Sequence, residues 1–247
     1  MIISPAMKTD DFDFNLPESL IAQHPLPGRS DSRLLCISKL SDTLRDEHFS
    51  SFISLIEPGD LLVLNDTKVI NARLYGNKET GGAVEILVER VLSDHAVLAH
   101  IRSSKSPKPG SHLTIEGGIE VRVNGRAGEF FRLEFETNES VFAILDRFGH
   151  VPLPPYISRR DEITDHQRYQ TVFASKPGAI AAPTAGLHFT EQLLGEISAK
   201  GVDLARVTLH VGAGTFSLFA LMMLINTLCI KSGSAFLNLF VIRLNDA

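Results

Sequence analysis

Two histidines, His188 and His210, each sit in a stretch almost bare of long side chains, and imidazole, which titrates near neutrality, suits proton transfer. The first stretch, Pro177 to Phe189, reads P-G-A-I-A-A-P-T-A-G-L-H-F; the second, Leu209 to Phe216, reads L-H-V-G-A-G-T-F. Glycine and alanine let a ligand approach the backbone closely, and a small-residue loop at the carboxyl end of a strand is where α/β proteins place ligands. Each signal alone is weak. A Gly-x-Gly after a strand is as often a tight turn, and a single histidine more often makes a structural hydrogen bond. Two histidines beside two such loops shift that balance. There is no P-loop lysine pattern and no full G-x-G-x-x-G, so a standard NTPase or dinucleotide fold is not supported. No cluster has metal-ligand spacing, and His95 and His100, five apart on a strand, face opposite sides.

Three further groups invite a functional reading beside a bland one. Asn65 to Arg73 is polar after a buried strand, so Lys68 and Arg73 are either solvated turn residues or part of a substrate loop. Tyr156, after Pro154-Pro155, is a packing aromatic or a platform on which a base stacks. Arg102, Lys105 and Lys108 make a basic loop that is either solvated or meets phosphate.

The elements that must carry these residues are legible from periodicity. Pro17-Glu18 opens a short helix to about Gln23, Arg33 to Ser38 is a short strand, and Phe49, Phe52, Ile53 and Ile56 fall at helical spacing. Leu61 to Leu64 reads as a buried strand after the Pro58-Gly59-Asp60 turn. From Leu74 the pattern alternates: Val84, Ile86 and Val88 on one face with Glu85 and Glu89 on the other, then Val121 and Val123, then Phe131, Leu133 and Phe135. With His95 to Ile101 and His112 to Ile115, about five short strands predict a small β-barrel or sandwich. Helical spacing returns at Val141, Ile144, Leu145 and Phe148. An extended Val151–Tyr156 linker follows, then a helix over Thr190–Lys200 with Thr190 as N-cap, and a strand over Asp203–Val211. The expected fold class is a mixed α/β domain with an inserted small antiparallel β-barrel. Residues 1–73 and 151–216 form the two parts of the α/β domain, and 74–150 the barrel.

Composition bounds the class. The 247 residues are 44% hydrophobic and 21% charged, as in ordinary globular proteins, with a formal net charge of −5 that argues against binding nucleic acid through bulk charge. Cys36 and Cys229 lie far apart without a C-x-x-C, which points to a reducing compartment, no disulfide and apolar buried thiols. Phe216 to Ile230 is apolar but shorter than the ~20 residues a span needs, and Met1 to Lys8 lacks the pattern of a secretory signal. A cytoplasmic, monomeric protein off the membrane is expected.

Taken together, these segments resemble the S-adenosylmethionine:tRNA ribosyltransferase-isomerases of queuosine biosynthesis. The resemblance runs from Lys8 to Phe216, through Asp11–Leu35, Pro58–Arg73, Gly82–Glu89, Ala99–Gly110, Gly149–Ile157, Tyr169–Phe189 and Val207–Phe216. It implies an α/β domain with an inserted barrel. It also implies a reaction in which S-adenosylmethionine donates its ribosyl group to 7-aminomethyl-7-deazaguanine at the anticodon wobble position of tRNA. Epoxyqueuosine forms, and adenine and methionine leave. The sulfonium charge acidifies the ribose 5′-C–H, so a base must take that proton. The family's partners would be tRNA and S-adenosylmethionine as co-substrate, with no metal or other cofactor, and catalysis would rest on positioning and preorganised electrostatics. On that resemblance His188 and His210 are the proton-transfer candidates. Gly186, Gly212 and Gly214 would shape the pocket, with Thr184 and Thr215 hydrogen-bonding in it. Lys68 and Arg73 would meet tRNA or the methionyl carboxylate, with Tyr156 the stacking candidate.

After Phe216 the resemblance stops. The family continues with a proline–valine segment, a histidine-rich loop and a further α/β portion, whereas residues 217–247 show no clear counterpart. The expectation is a member lacking the C-terminal part of its α/β domain, with impaired or absent activity. The rival readings are a catalytically inactive tRNA-binding remnant and an S-adenosylmethionine-dependent methyltransferase using the Gly212–Gly214 loop.

Overall fold

A computed structural model describes residues 13–37, 43–212, 214 and 239–243. Its central feature is a closed antiparallel barrel. The strands are β5 (Arg73–Lys78), β6 (Ala83–Val91), β7 (Ala96–Ser103), β8 (His112–Ile115), β9 (Ile119–Ala127) and β10 (Phe130–Phe135), in the order β10-β7-β6-β5-β8-β9. Closure follows from the alternation: one face of β6, β7, β8, β9 and β10 is apolar, β5 adds Leu74, and rolling the sheet buries that face while leaving no unpaired edge. Leu74, Ile86, Val88, Val97, Leu113, Val121, Val123 and Leu133 are fully buried inside. Helix α1 (Val141–Phe148), whose N-cap Ser140 accepts from the Ala143 N–H, packs Val141, Ile144 and Leu145 into the same cluster.

The rest of the chain forms an α/β layer. Strand β3 (Asp60–Asn65) pairs in parallel with β12 (Asp203–Val207) and antiparallel with β13 (Leu239–Arg243). The last of these lies within the stretch that lacked a family counterpart in sequence. Strand β4 (Thr67–Val69) pairs in parallel with β11 (Lys176–Ala179). Beneath them Leu62 and Leu64 pack with Phe49, Phe52, Phe173, Phe189, Leu193 and Ile197. Leu193 and Ile197 come from α3 (Glu191–Ala199), where Thr190 Oγ1 accepts from the Leu193 N–H at 3.1 Å. Thr190→Ala should therefore lower stability by about 1 kcal/mol, measured as a shift in the urea unfolding midpoint. A change within a few tenths would mean that solvent already satisfies that N–H.

Three expectations differ from the structure. The helix starting at Pro17 is a single 3₁₀ turn, Glu18–Leu20, too short to nucleate an α-helix without tertiary cover. The strand expected over Asp203–Val211 ends at Val207, because the side chains of Asn65 and Asp66 take over the bonding of the backbone and side chains that follow. The small-residue run at Pro177 is not wholly loop: β4 draws Lys176–Ala179 into a strand, with a register shift between Pro177 and Ala179. Pairing decides strand formation where local propensity is low. Ser38 and the residues after Phe216, except 239–243, lie outside the described residues.

Candidate functional site

The carboxyl end of β3 holds the second small-residue loop in place. Asn65 Nδ2 donates to Leu209 O at 2.9 Å, and Leu209 N–H returns a bond to Asn65 Oδ1 at 3.0 Å. Asp66 is buried, and its carboxylate accepts from Thr208 Oγ1 at 2.6 Å and Ser175 Oγ at 2.9 Å. The Thr208 bond holds that carboxyl below the usual range, helped by Ser175, Lys176 and Arg206 and opposed by burial. Asp66 thus remains an ionised acceptor at neutral pH.

This fastening joins the two stretches that the sequence singled out. Ile180 N–H and Ala181 N–H both donate to Val211 O, at 2.8 and 3.1 Å. His210 Nδ1 shares a 2.7 Å hydrogen bond with Thr67 Oγ1. The imidazole stands against Gly178 (φ +147°), where a Cβ would come within 2.8 Å of the ring. A side chain there would push His210 away.

Two cavities open beside the β4–β11 pair, and His210 lines the smaller of them. The smaller, about 260 Å³, is lined by Ile70, Glu89, Arg90, Phe142, His210 and Gly212, among others. The larger, about 580 Å³, is lined by Lys68, Asn71, Phe142, Asp146, His166 and Gln170, among others. They share Ile70 and Phe142, and Phe142 is 46% exposed at the start of α1. The barrel, α1 and the β4–β11 pair therefore meet around one divided cleft. Gln170 stiffens its floor: Nε2 donates to Val69 O at 2.6 Å, and Oε1 accepts from Val69 N–H at 3.0 Å.

His188 lies elsewhere and lines neither cavity. It ends the 3₁₀ turn Thr184–His188, with its ring tilted on Phe49 at 5.2 Å between centroids. Ser30 Oγ donates to His188 O, and the Arg29 guanidinium donates to Leu187 O and Gln167 O. Burial pushes the imidazole pKa down, and the positive charges of Arg168 and Arg29 push the same way against a hydrogen bond with the Arg29 backbone that raises it. His188 is therefore a neutral imidazole at pH 7.

The remaining candidates divide similarly. Lys68 is exposed at the larger cavity, and Gly212 lines the smaller. Gly186 is buried, and a Cβ there would press on Thr171 and Phe173. Gly214 is exposed, Thr184 is exposed at the start of its turn, and Thr215 lies outside the described residues. Arg73 is engaged within the fold: Nε lies 3.0 Å from Glu85 Oε1, and Nη2 donates to Leu153 O at 3.0 Å, tying the barrel to the proline linker. Tyr156 is 54% exposed, and partial burial raises its hydroxyl pKa. Arg102 is exposed near the end of β7, and Lys105 and Lys108 are exposed on the loop that follows it. Sequence reasoning missed Asn65, Asp66, Glu89, Phe142 and Gln170 as individual site residues. Phe142 breaks the buried helical stripe of α1 as an exposed aromatic, a signal that was available; the others carry none.

Among the described residues no group of three or more His, Cys, Asp or Glu is arranged to hold a metal ion, and no helix is long and apolar enough to cross a membrane.

Comparison with known proteins bears on this cleft. A family model described as "Queuosine biosynthesis protein" matches residues 9–224, extending past Phe216. A curated relative from Nitrosospira multiformis, S-adenosylmethionine:tRNA ribosyltransferase-isomerase, is 56% identical over 210 residues, covering 85% of this chain and 59% of the relative. A crystal structure of S-adenosylmethionine tRNA ribosyltransferase from Thermotoga maritima is 30% identical and covers 81% of this chain and 58% of that one. Its TM-score of 0.34 is too low to speak for the fold. The chain thus spans a little under three fifths of the length of each.

Proposed function

We propose, from the premise that this chain belongs to the queuosine biosynthesis protein family, that its divided cleft serves the transfer and isomerisation of the ribosyl group of S-adenosylmethionine onto 7-aminomethyl-7-deazaguanine in tRNA. The product is epoxyqueuosine-tRNA, and adenine and methionine are released. The observation that carries this reading is the pair of adjoining cavities sharing Ile70 and Phe142, with His210 at one and Lys68 at the other. A reaction between a small sulfonium nucleoside and a base displayed on a polynucleotide needs two compartments meeting at one point. It also needs a proton-transfer group at that point.

In this reading His210, oriented by Thr67, handles a proton at the smaller cavity, and Lys68 offers charge to a tRNA phosphate at the mouth of the larger. His188 acts through the fold of its turn, since it lines neither cavity. Tyr156 and the basic loop of Arg102, Lys105 and Lys108 are outer contacts for the anticodon arm. S-adenosylmethionine is consumed as a co-substrate, and no other cofactor is required. The setting is the cytoplasm, where tRNA resides, with the chain acting as a monomer.

The test is to incubate the purified chain with S-adenosylmethionine and tRNA carrying the aminomethyl base, then analyse products by mass spectrometry. Adenine, methionine and a ribosylated tRNA base are expected, in amounts far below those formed by a full-length relative, in keeping with the impaired activity expected of this chain. S-adenosylhomocysteine would instead mark a methyltransferase. Salt-sensitive tRNA binding without turnover would mark an inactive binding module.

A further inference from the structure

Along β6 the alternation places Glu89 on the outer face of the barrel with Glu85. The structure departs from that at one point. Val88 pairs with Ala99 and Arg90 with Leu98, so Glu89 is the extra residue of a β-bulge. A bulge re-aims a side chain and breaks the two-residue period. Here Glu89, Arg90 and Val91, three residues in succession, all line the smaller cavity, which regular alternation would not allow.

A second observation comes from the other side of the cavity. A Cβ placed on Gly212 would come 2.5 Å from Glu89 Oε1, so the glycine leaves the room that this carboxylate occupies. The bulge and the glycine belong to elements far apart in sequence, yet both bring one acidic group to the cavity that contains His210.

We infer that Glu89 is a ligand-binding residue of this cleft, a carboxylate that recognises the positive charge of a sulfonium ligand. This rests on the ribosyl-transfer reading, which makes S-adenosylmethionine the occupant. Among the described residues the other charged or titratable groups lining the smaller cavity are Arg90 and His210. The guanidinium of Arg90 suits the α-carboxylate of the same molecule, so the cavity carries both signs that a zwitterionic sulfonium nucleoside presents. A carboxylate beside a sulfonium also favours the orientation that brings the acidified ribose C–H to the base.

The experiment compares S-adenosylmethionine with S-adenosylhomocysteine, which keeps every recognition group except the sulfonium charge and its methyl. Both are titrated calorimetrically into the full 247-residue chain and into the variants Glu89→Gln and Glu89→Asp. The chain itself should prefer the sulfonium by about tenfold, as one close charge pair at a partly exposed site allows. Glu89→Gln should erase that preference and leave S-adenosylhomocysteine affinity within about twofold. Glu89→Asp, keeping the charge, should retain most of it. Persistence of the preference in Glu89→Gln would overturn the assignment while leaving the ribosyl-transfer reading intact. Equal loss of both ligands in both variants would also overturn it, reducing Glu89 to a support for the Gly212 loop. If the unaltered chain bound neither ligand, the ribosyl-transfer reading would fail for this chain and the assignment with it.

Discussion

Replacing Arg159 with leucine should lower stability by roughly 3 kcal/mol at pH 7, because it leaves the carboxylate of Asp165 buried without its cation. The two groups form a bidentate pair, Nη1 to Oδ2 at 2.6 Å and Nη2 to Oδ1 at 2.9 Å, with side chains 17% and 5% exposed. Arg159 Nε also donates to Gln23 O at 2.9 Å, so the same guanidinium ties the N-terminal segment to the loop before α2 (Asp165–Arg168). The figure sits at the lower end of the range for buried pairs because one edge of Arg159 still meets water.

The effect carries a pH signature whose sign follows from linkage. The Arg159 bond holds the Asp165 carboxyl below the usual carboxylate range, aided by the Glu162 backbone and opposed by burial. A carboxyl whose pKa is lower in the folded state stabilises fully above its unfolded pKa of about 4, and that contribution vanishes as pH falls through the folded value. The stability gap between the native chain and Arg159→Leu should therefore be widest near neutrality and shrink as pH falls below the unfolded carboxylate value of about 4. Urea unfolding at pH 7 and at pH 3 measures both. A gap that did not depend on pH would mean that Arg159 acts through packing and its backbone contacts alone.

Phe189→Ala should cost roughly 3–5 kcal/mol, the range for removing a fully buried phenylalanine. Phe189 is 0% exposed and lies edge-on to Phe49 at 4.9 Å, Phe52 at 5.4 Å and Phe173 at 6.4 Å. These rings come from three separate segments, and Phe49 also carries the ring of His188. Truncation leaves a cavity at their junction that the 3₁₀ turn cannot close, since Ser30 and Arg29 hold its end. Phe189→Leu, which keeps most of the volume, should cost below about 1.5 kcal/mol. A comparable loss in both variants would place the energy in edge-to-face ring contacts and not in filled volume.

The barrel was the most legible part of the fold. Every second residue of Val121–Val123 and Phe131–Phe135 is apolar, and only a sheet with one buried face satisfies that pattern. Helices α1 and α3 were likewise readable from apolar spacing and from Thr190. What escaped was pairing that carries no local signature. Strand β2 (Leu44–His48) reads L-R-D-E-H with no alternation, and exists because β1 (Arg33–Ile37) offers it an edge. Strand β11 contains Pro177 and Gly178, poor strand residues, and forms on β4.

His188 and His210 looked equivalent in sequence, each beside glycine and alanine. In the folded chain they part: His210 lines a cavity with Glu89 and Phe142, while His188 rests on Phe49 under Ser30 and Arg29. Small-residue composition reports that the backbone can be approached closely, and it does so whether the visitor is a ligand, an imidazole or a neighbouring strand. Gly178 makes room for the His210 ring, Gly186 for Thr171 and Phe173, and Gly212 for a carboxylate.

The sequence by itself determined the family, the mixed α/β class with its barrel, and the two stretches around which the cleft forms. Those properties reside in local patterns and in runs of residue identity that one chain displays directly. Only the tertiary structure decided which histidine faces the cleft, and it brought Glu89 there. Those outcomes depend on a one-residue bulge in β6 and on side-chain bonds spanning more than a hundred residues, from Asn65 and Asp66 to the Leu209 loop. Contacts between distant segments are set by the packing of the whole chain, and no window of sequence contains both partners.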